Sequence, residues 1–318
     1  MQRKIIMIIT TIFLIFFLIG LVEIGSKKTL KEEQKEISIV ASIFPAYDFA
    51  RAVVGSEAEI ELLVNPGVEV HSYDPTPMDI VKIQNADIFI YIGAENEVWV
   101  ETILSSLDTS QMQIIKLMDY IEVLEEEIVE GMQIGKHNEH EEIEYDEHIW
   151  TNPKNAITFV EKISNIIQKK DMKNATKYEQ NAQSYIEQIE QIDKEISSIV
   201  SNAKRNELIF GDRFPFRYFT EAYGLEYAAA FPGCSSETEP STGTLAYLIE
   251  KIKTDEIPVV LYIEMSTKKV CDILVEETGA KAMCLHSCQN VSKNEFLNGV
   301  TYVSLMKENI NTLKEALN

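Results

Sequence analysis

A chain of 318 residues with ordinary apolar (45%) and charged (25%) fractions is long enough to bury the cores of about two domains. Its formal net charge of −22 excludes a nucleic-acid backbone as partner, because phosphate recognition needs basic patches. The same charge raises the local concentration of cations, although it would also serve solubility alone.

Arg3 and Lys4 precede an uncharged run, Ile5 to Val22, with the basic start and apolar core of an export signal. At ~1.5 Å per residue the run just spans a bilayer, so an uncleaved anchor and a cleaved signal both fit. No cysteine stands near its end to carry a lipid; the first is Cys234. Residues 26–36 read as a charged tether. Residues 1–36 are therefore set apart as a signal or anchor segment, and the remainder is expected outside the cytoplasm, tethered or released.

From Ile37 onward, short apolar runs alternate with helical patterns. Strands are expected at 37–41, 60–64, 87–93 and 113–117, and helices at 45–55, after Thr76 and at 98–107. Thr76-Pro77-Met78-Asp79 is a helix start, with an N-cap threonine, proline in the first turn and a carboxylate behind it. Residues 121–147 hold eleven acidic residues and one lysine, and read as an acidic surface loop containing His137 and His140. Helices follow at 155–169 and 175–202. In the second, Tyr178, Ala182, Tyr185, Ile189, Ile192, Ile196 and Ile199 form one sustained apolar stripe. A coiled-coil dimer would use such a stripe; a rigid spacer against two lobes fits better, since no second heptad run exists. Strand–helix alternation then resumes to the C-terminus. The expected fold class is α/β with two lobes, each a parallel sheet flanked by helices, joined by one long rigid helix. The lobes span 37–174 and 203–318, with the helix at 175–202.

Ligands of parallel sheets bind beyond the carboxyl ends of the strands. Four metal-capable residues are expected there: His71, His148, Asp212 and His286. Each has a plainer reading. A loop histidine is more often a surface residue, and Asp212 would serve as a helix cap or pair with Arg213. His137 and His140 read as a solvated loop or as weak captors. Cys284-Leu-His-Ser-Cys288 lacks the paired C-x-x-C of a structural zinc site. No H-E-x-x-H is present, which argues against a zinc hydrolase.

The segments ASIFPAYDFARAVVG, LVNPGVEVHSYDPTPMDIVKIQNADIFIYIG, DEHIWTNPKNAI and YFTEAYGL followed by FPGCSSETEPST occur in one order. Together they resemble the metal-binding substrate-binding proteins of zinc and manganese ABC importers, from about Ile37 to the C-terminus. The resemblance implies a non-enzymatic, monomeric protein that closes two lobes around one divalent ion and delivers it to a membrane permease. The family's first two histidine ligands fall on His71 and His148. Its third histidine is missing: counting from the strand puts Asp212 there, and counting back from Tyr218-Phe219 puts Arg213. Arginine cannot ligate a cation, so Asp212 is preferred. His286 stands where the family usually has a carboxylate. Three nitrogens and one oxygen favour zinc, with manganese as the alternative. A surface adhesin is a third reading.

Overall fold

The computed structural model describes residues 36–93, 97–132, 144–233 and 239–318. The expectations for the apolar run 5–22, its tether, His137, His140 and Cys234 lie outside these residues. Among the described residues, no helix is long and apolar enough to cross a membrane.

The first lobe runs β1 (Ser38–Ala41), α1 (Phe44–Val54), β2 (Glu59–Leu62), α2 (Pro77–Asn85), β3 (Ile88–Tyr91), α3 (Val98–Ser106) and β4 (Gln113–Lys116). Its strands form a parallel sheet in the order β2-β1-β3-β4, with Ile39 opposite Ile60 on one side and Ile88 on the other. The central strand β3 is buried on both faces, as parallel sheets covered by helices require. Helix α2 begins where the sequence marks it. The Thr76 hydroxyl accepts from the Asp79 N–H, and the Asp79 carboxylate accepts from the Thr76 N–H.

Helices α4 (Pro153–Lys170) and α5 (Ala175–Ser201) lead to the second lobe. At ~1.5 Å per residue, α5 is roughly 40 Å long. The apolar stripe expected on α5 is buried within the chain from Tyr178 to Ile196, against α1 and α4 and against the C-terminal helix. This overturns the coiled-coil alternative, because the stripe is already spent on internal packing.

The second lobe runs β5 (Glu207–Phe214), α6 (Arg217–Tyr223), β6 (Glu226–Pro232), α7 (Thr242–Thr254), β7 (Val259–Tyr262), α8 (Lys269–Thr278), β8 (Lys281–Cys284), α9 (Lys293–Leu297) and α10 (Tyr302–Ala316). Its parallel sheet, β6-β5-β7-β8, repeats the topology of the first. Strand β5 is longer than its apolar run suggests. Its pairing with β6 shifts between Phe210 and Arg213, and the chain then continues as strand to Phe214. Asp212 therefore lies within β5 rather than after it. The bulge returns Phe214 to the core, where its ring stacks on Tyr227. One continuous apolar core joins α1, α4, α5, α10 and the facing sides of both sheets.

Candidate metal centre

The carboxyl ends of both sheets open on a cleft lined by Glu69 and His71 from the first lobe, and by Asp212, Arg213, Glu264 and Gln289 from the second. His71 sits on the loop after β2. Gly67 shapes that loop at φ +83°, a conformation that glycine adopts without steric cost. The Gly67 N–H donates to Val291 O at 2.9 Å, and Asn290 Nδ2 donates to Val68 O at 2.6 Å. The loop is thus fixed by the opposite lobe.

His148 is fully buried at the start of a short 3-10 turn, Ile149–Thr151. The Thr151 hydroxyl donates to His148 O at 2.7 Å. Trp150 anchors the turn from below by donating from Nε1 to Ser287 O at 2.7 Å. Gly233 closes over the ring: a Cβ there would meet Phe214 O at 2.9 Å and His148 Cε1 at 3.2 Å. Any larger residue would clash with the Phe214 backbone and crowd the imidazole.

Both imidazoles are oriented by carboxylates. His71 Nδ1 lies 2.8 Å from Glu69 Oε1, and His148 Nδ1 lies 3.2 Å from Asp146 Oδ1. A carboxylate can only accept, so Nδ1 carries the proton in each ring and the Nε2 lone pair points elsewhere. Both Nε2 atoms are buried and make no hydrogen bond in the protein. They converge instead on Glu147, whose Oε1 lies 3.3 Å from His71 Nε2 and 3.9 Å from His148 Nε2. Donor atoms of His71, Glu147 and His148 all lie within 4.8 Å of one another. Two ligands of tetrahedral zinc, each at about 2.0–2.1 Å, stand roughly 3.3 Å apart. The Glu147–His71 edge has that length and the Glu147–His148 edge needs a shift of about half an ångström, while the third edge, between the two histidines, is within 4.8 Å.

Facing lone pairs and a carboxylate repel unless a cation or a proton lies between them. Burial alone would push the His71 imidazole down, but Glu147 and Glu69 on its two sides outweigh it and hold it at about 9. Glu69 is held down at about 2, first by its hydrogen bond with His71. The metal-free site thus holds a proton where a metal ion would bring more charge.

Asp212 and His286 lie outside this three-residue cluster. The Asp212 carboxylate faces the same cleft and accepts from the N–H groups of Arg213 (2.9 Å) and Ile263 (3.4 Å). Burial raises its pKa. His286 differs from the other two histidines, since its Nδ1 accepts the Cys288 N–H at 2.9 Å. The neutral ring then carries its proton on Nε2. Arg213 reaches across the cleft to Glu69 Oε2 at 3.4 Å, so it braces the carboxylate that orients His71.

Glu147 escapes sequence reasoning because it is one of eleven acidic residues in a stretch read as a loop. Its signal was adjacency, since Asp146-Glu147-His148 puts an orienting carboxylate, a donor and an imidazole in successive positions. Gln289, whose Nε2 donates to Glu147 Oε1 at 3.2 Å, carries no charge and no motif to mark it.

The chain is 31% identical over 302 residues to the high-affinity zinc uptake system protein ZnuA of Bacillus subtilis, covering 92% of this chain and 91% of that one. It is also 31% identical over 292 residues to the zinc-binding lipoprotein AdcA of Streptococcus pneumoniae, covering 90% of this chain but 56% of the relative. It thus spans little more than half the length of that protein. The solved Zn(II)-bound ZnuA-like domain of that AdcA superposes with a TM-score of 0.74 at 30% identity, over 89% of this chain and 99% of the domain. A family model described as zinc-uptake complex component A, periplasmic, matches residues 39–316, and the chain belongs to that family.

Proposed function

We propose that this protein captures a divalent transition metal, zinc in preference to manganese, outside the cytoplasm and delivers it to the permease of an ABC importer. The observation that carries the reading is the convergence of two buried, carboxylate-oriented Nε2 atoms on the Glu147 carboxylate. Imidazole with a single carboxylate suits zinc, whereas manganese favours more oxygen donors. His71, Glu147 and His148 supply three donors. Asp212, in the same cleft, is one candidate for a fourth from the second lobe. His286, whose Nε2 is likewise buried without a hydrogen-bond partner, is the other candidate. The ion is cargo, and no residue is assigned a catalytic role.

Calorimetric titration with Zn²⁺ and Mn²⁺ tests the reading. Wild type should bind one zinc ion per chain, more tightly than manganese. His148→Ala and Glu147→Ala should each lose about 100-fold or more in zinc affinity. Undiminished zinc binding by His148→Ala would remove the site.

A further inference from the structure

The three clustered donors all belong to the first lobe, so an ion held by them alone would touch that lobe only. Besides the Arg213–Glu69 pair and the approach of Gly233 to the His148 ring, the second lobe reaches them through one short segment, residues 287–291. Ser287 O accepts from Trp150 Nε1, and Gln289 Nε2 donates to Glu147 Oε1. Asn290 and Val291 hold the loop that carries His71, through Val68 O and the Gly67 N–H. The segment is fixed from behind by Glu264, which accepts from the Ser287 N–H (2.7 Å), the Ser287 hydroxyl (2.5 Å) and the Gln289 N–H (3.3 Å).

Within this segment, Gln289 contacts the very oxygen that faces both imidazoles. A carboxylate oxygen has two lone pairs, so one can meet a cation while the other keeps the amide N–H. We propose that Gln289 is the positioning residue through which the second lobe senses an ion held by His71, Glu147 and His148; the inference rests on the metal-site reading above. Closing the 3.9 Å gap between Glu147 and His148 around an ion moves the carboxylate. The amide follows it, and the segment carries that displacement to Trp150 and to the His71 loop. Occupancy in one lobe thereby becomes a change in the other, beside any ligand that the second lobe itself supplies.

Hydrogen exchange of the full-length protein with and without Zn²⁺ tests this. In wild type, zinc should slow exchange over both 146–149 and 286–291. In Gln289→Ala, the slowing over 146–149 should remain, zinc affinity should fall about tenfold, and the slowing over 286–291 should vanish. Unchanged slowing over 286–291 in that variant overturns the inference while leaving the metal site intact. A wild type with no zinc-dependent slowing anywhere overturns the metal-site reading and this inference with it. If Gln289→Ala does not fold, Gln289→Glu replaces the donor with a carboxylate of the same shape. Two facing carboxylates should lower its metal-free Tm, and zinc should raise that Tm by more than in wild type; an equal rise overturns the inference.

Discussion

At the residue scale, what separates His71 and His148 from His286 is the group behind Nδ1. A carboxylate there accepts, fixes the proton on Nδ1 and frees Nε2 for a metal. A backbone N–H there donates, and so places the proton on Nε2. A fourth buried group, Glu97, lies beside the site without joining it. Its Oε2 accepts from the N–H groups of Ile92 (2.7 Å) and Gly93 (2.8 Å). Burial pushes its carboxyl up to about 7, and these hydrogen bonds only partly oppose it. A raised carboxyl pKa means that the folded state holds the proton more tightly than the unfolded chain. The Glu97 contribution to stability is therefore fully present below the unfolded pKa near 4.5, and is lost as pH rises through about 7. The loss amounts to ~3 kcal/mol at most. Glu97→Gln should flatten this part of a urea-denaturation profile measured from pH 4.5 to 8. A profile that keeps the wild-type slope would contradict the assignment.

At the scale of elements, the lobes are tied where α1, α5 and α10 meet. Asp48 on α1 is buried at the N-terminus of α10, where it accepts the Tyr302 N–H at 2.8 Å. It also accepts from the Tyr185 hydroxyl on α5 and is paired with Arg51. Tyr302 passes the tie onward by donating its hydroxyl to Trp150 O at 2.9 Å, one residue from the start of the turn that follows His148. Asp48→Ala strands the buried Tyr185 hydroxyl and the Tyr302 N–H and leaves Arg51 only Val300 O as acceptor, and should cost about 3 kcal/mol in equilibrium unfolding. A loss below about 1 kcal/mol would show that the junction is not a structural tie. This junction is invisible in the sequence, where Asp48 is one polar residue inside an apolar helix. The elements themselves were legible. Apolar runs such as Ile88–Tyr91, the Thr76–Asp79 capping pair and the stripe on α5 each state a local preference that the fold obeys. Strand β5 departs because its extension depends on a bulge and on the Phe214–Tyr227 stack, which are tertiary features.

At the scale of the whole molecule, two sheets of identical order present their carboxyl ends to one cleft, and an acidic chain surrounds it. The long helix and the cross-lobe hydrogen bonds at Gly67, Asn290 and Trp150 leave little room for hinge opening. Two of the three clustered residues could be named in advance. His71 and His148 stand in stiff, proline-flanked loops, and their loops place them together. Glu147 could not be singled out, because what distinguishes it is burial, shared with Asp146 alone among the described acidic residues of that stretch, and its approach to both imidazoles. Asp212 and His286 were named from their strand ends, and their roles turn on hydrogen bonds that no spacing reveals. The most direct measurement is anomalous diffraction at the zinc absorption edge from crystals grown with one equivalent of Zn²⁺. The proposed metal centre predicts a single peak about 2 Å from Nε2 of His71, Nε2 of His148 and the Glu147 carboxylate. A peak on the cysteines of the second lobe, or on the acidic segment that carries His137 and His140, would contradict it.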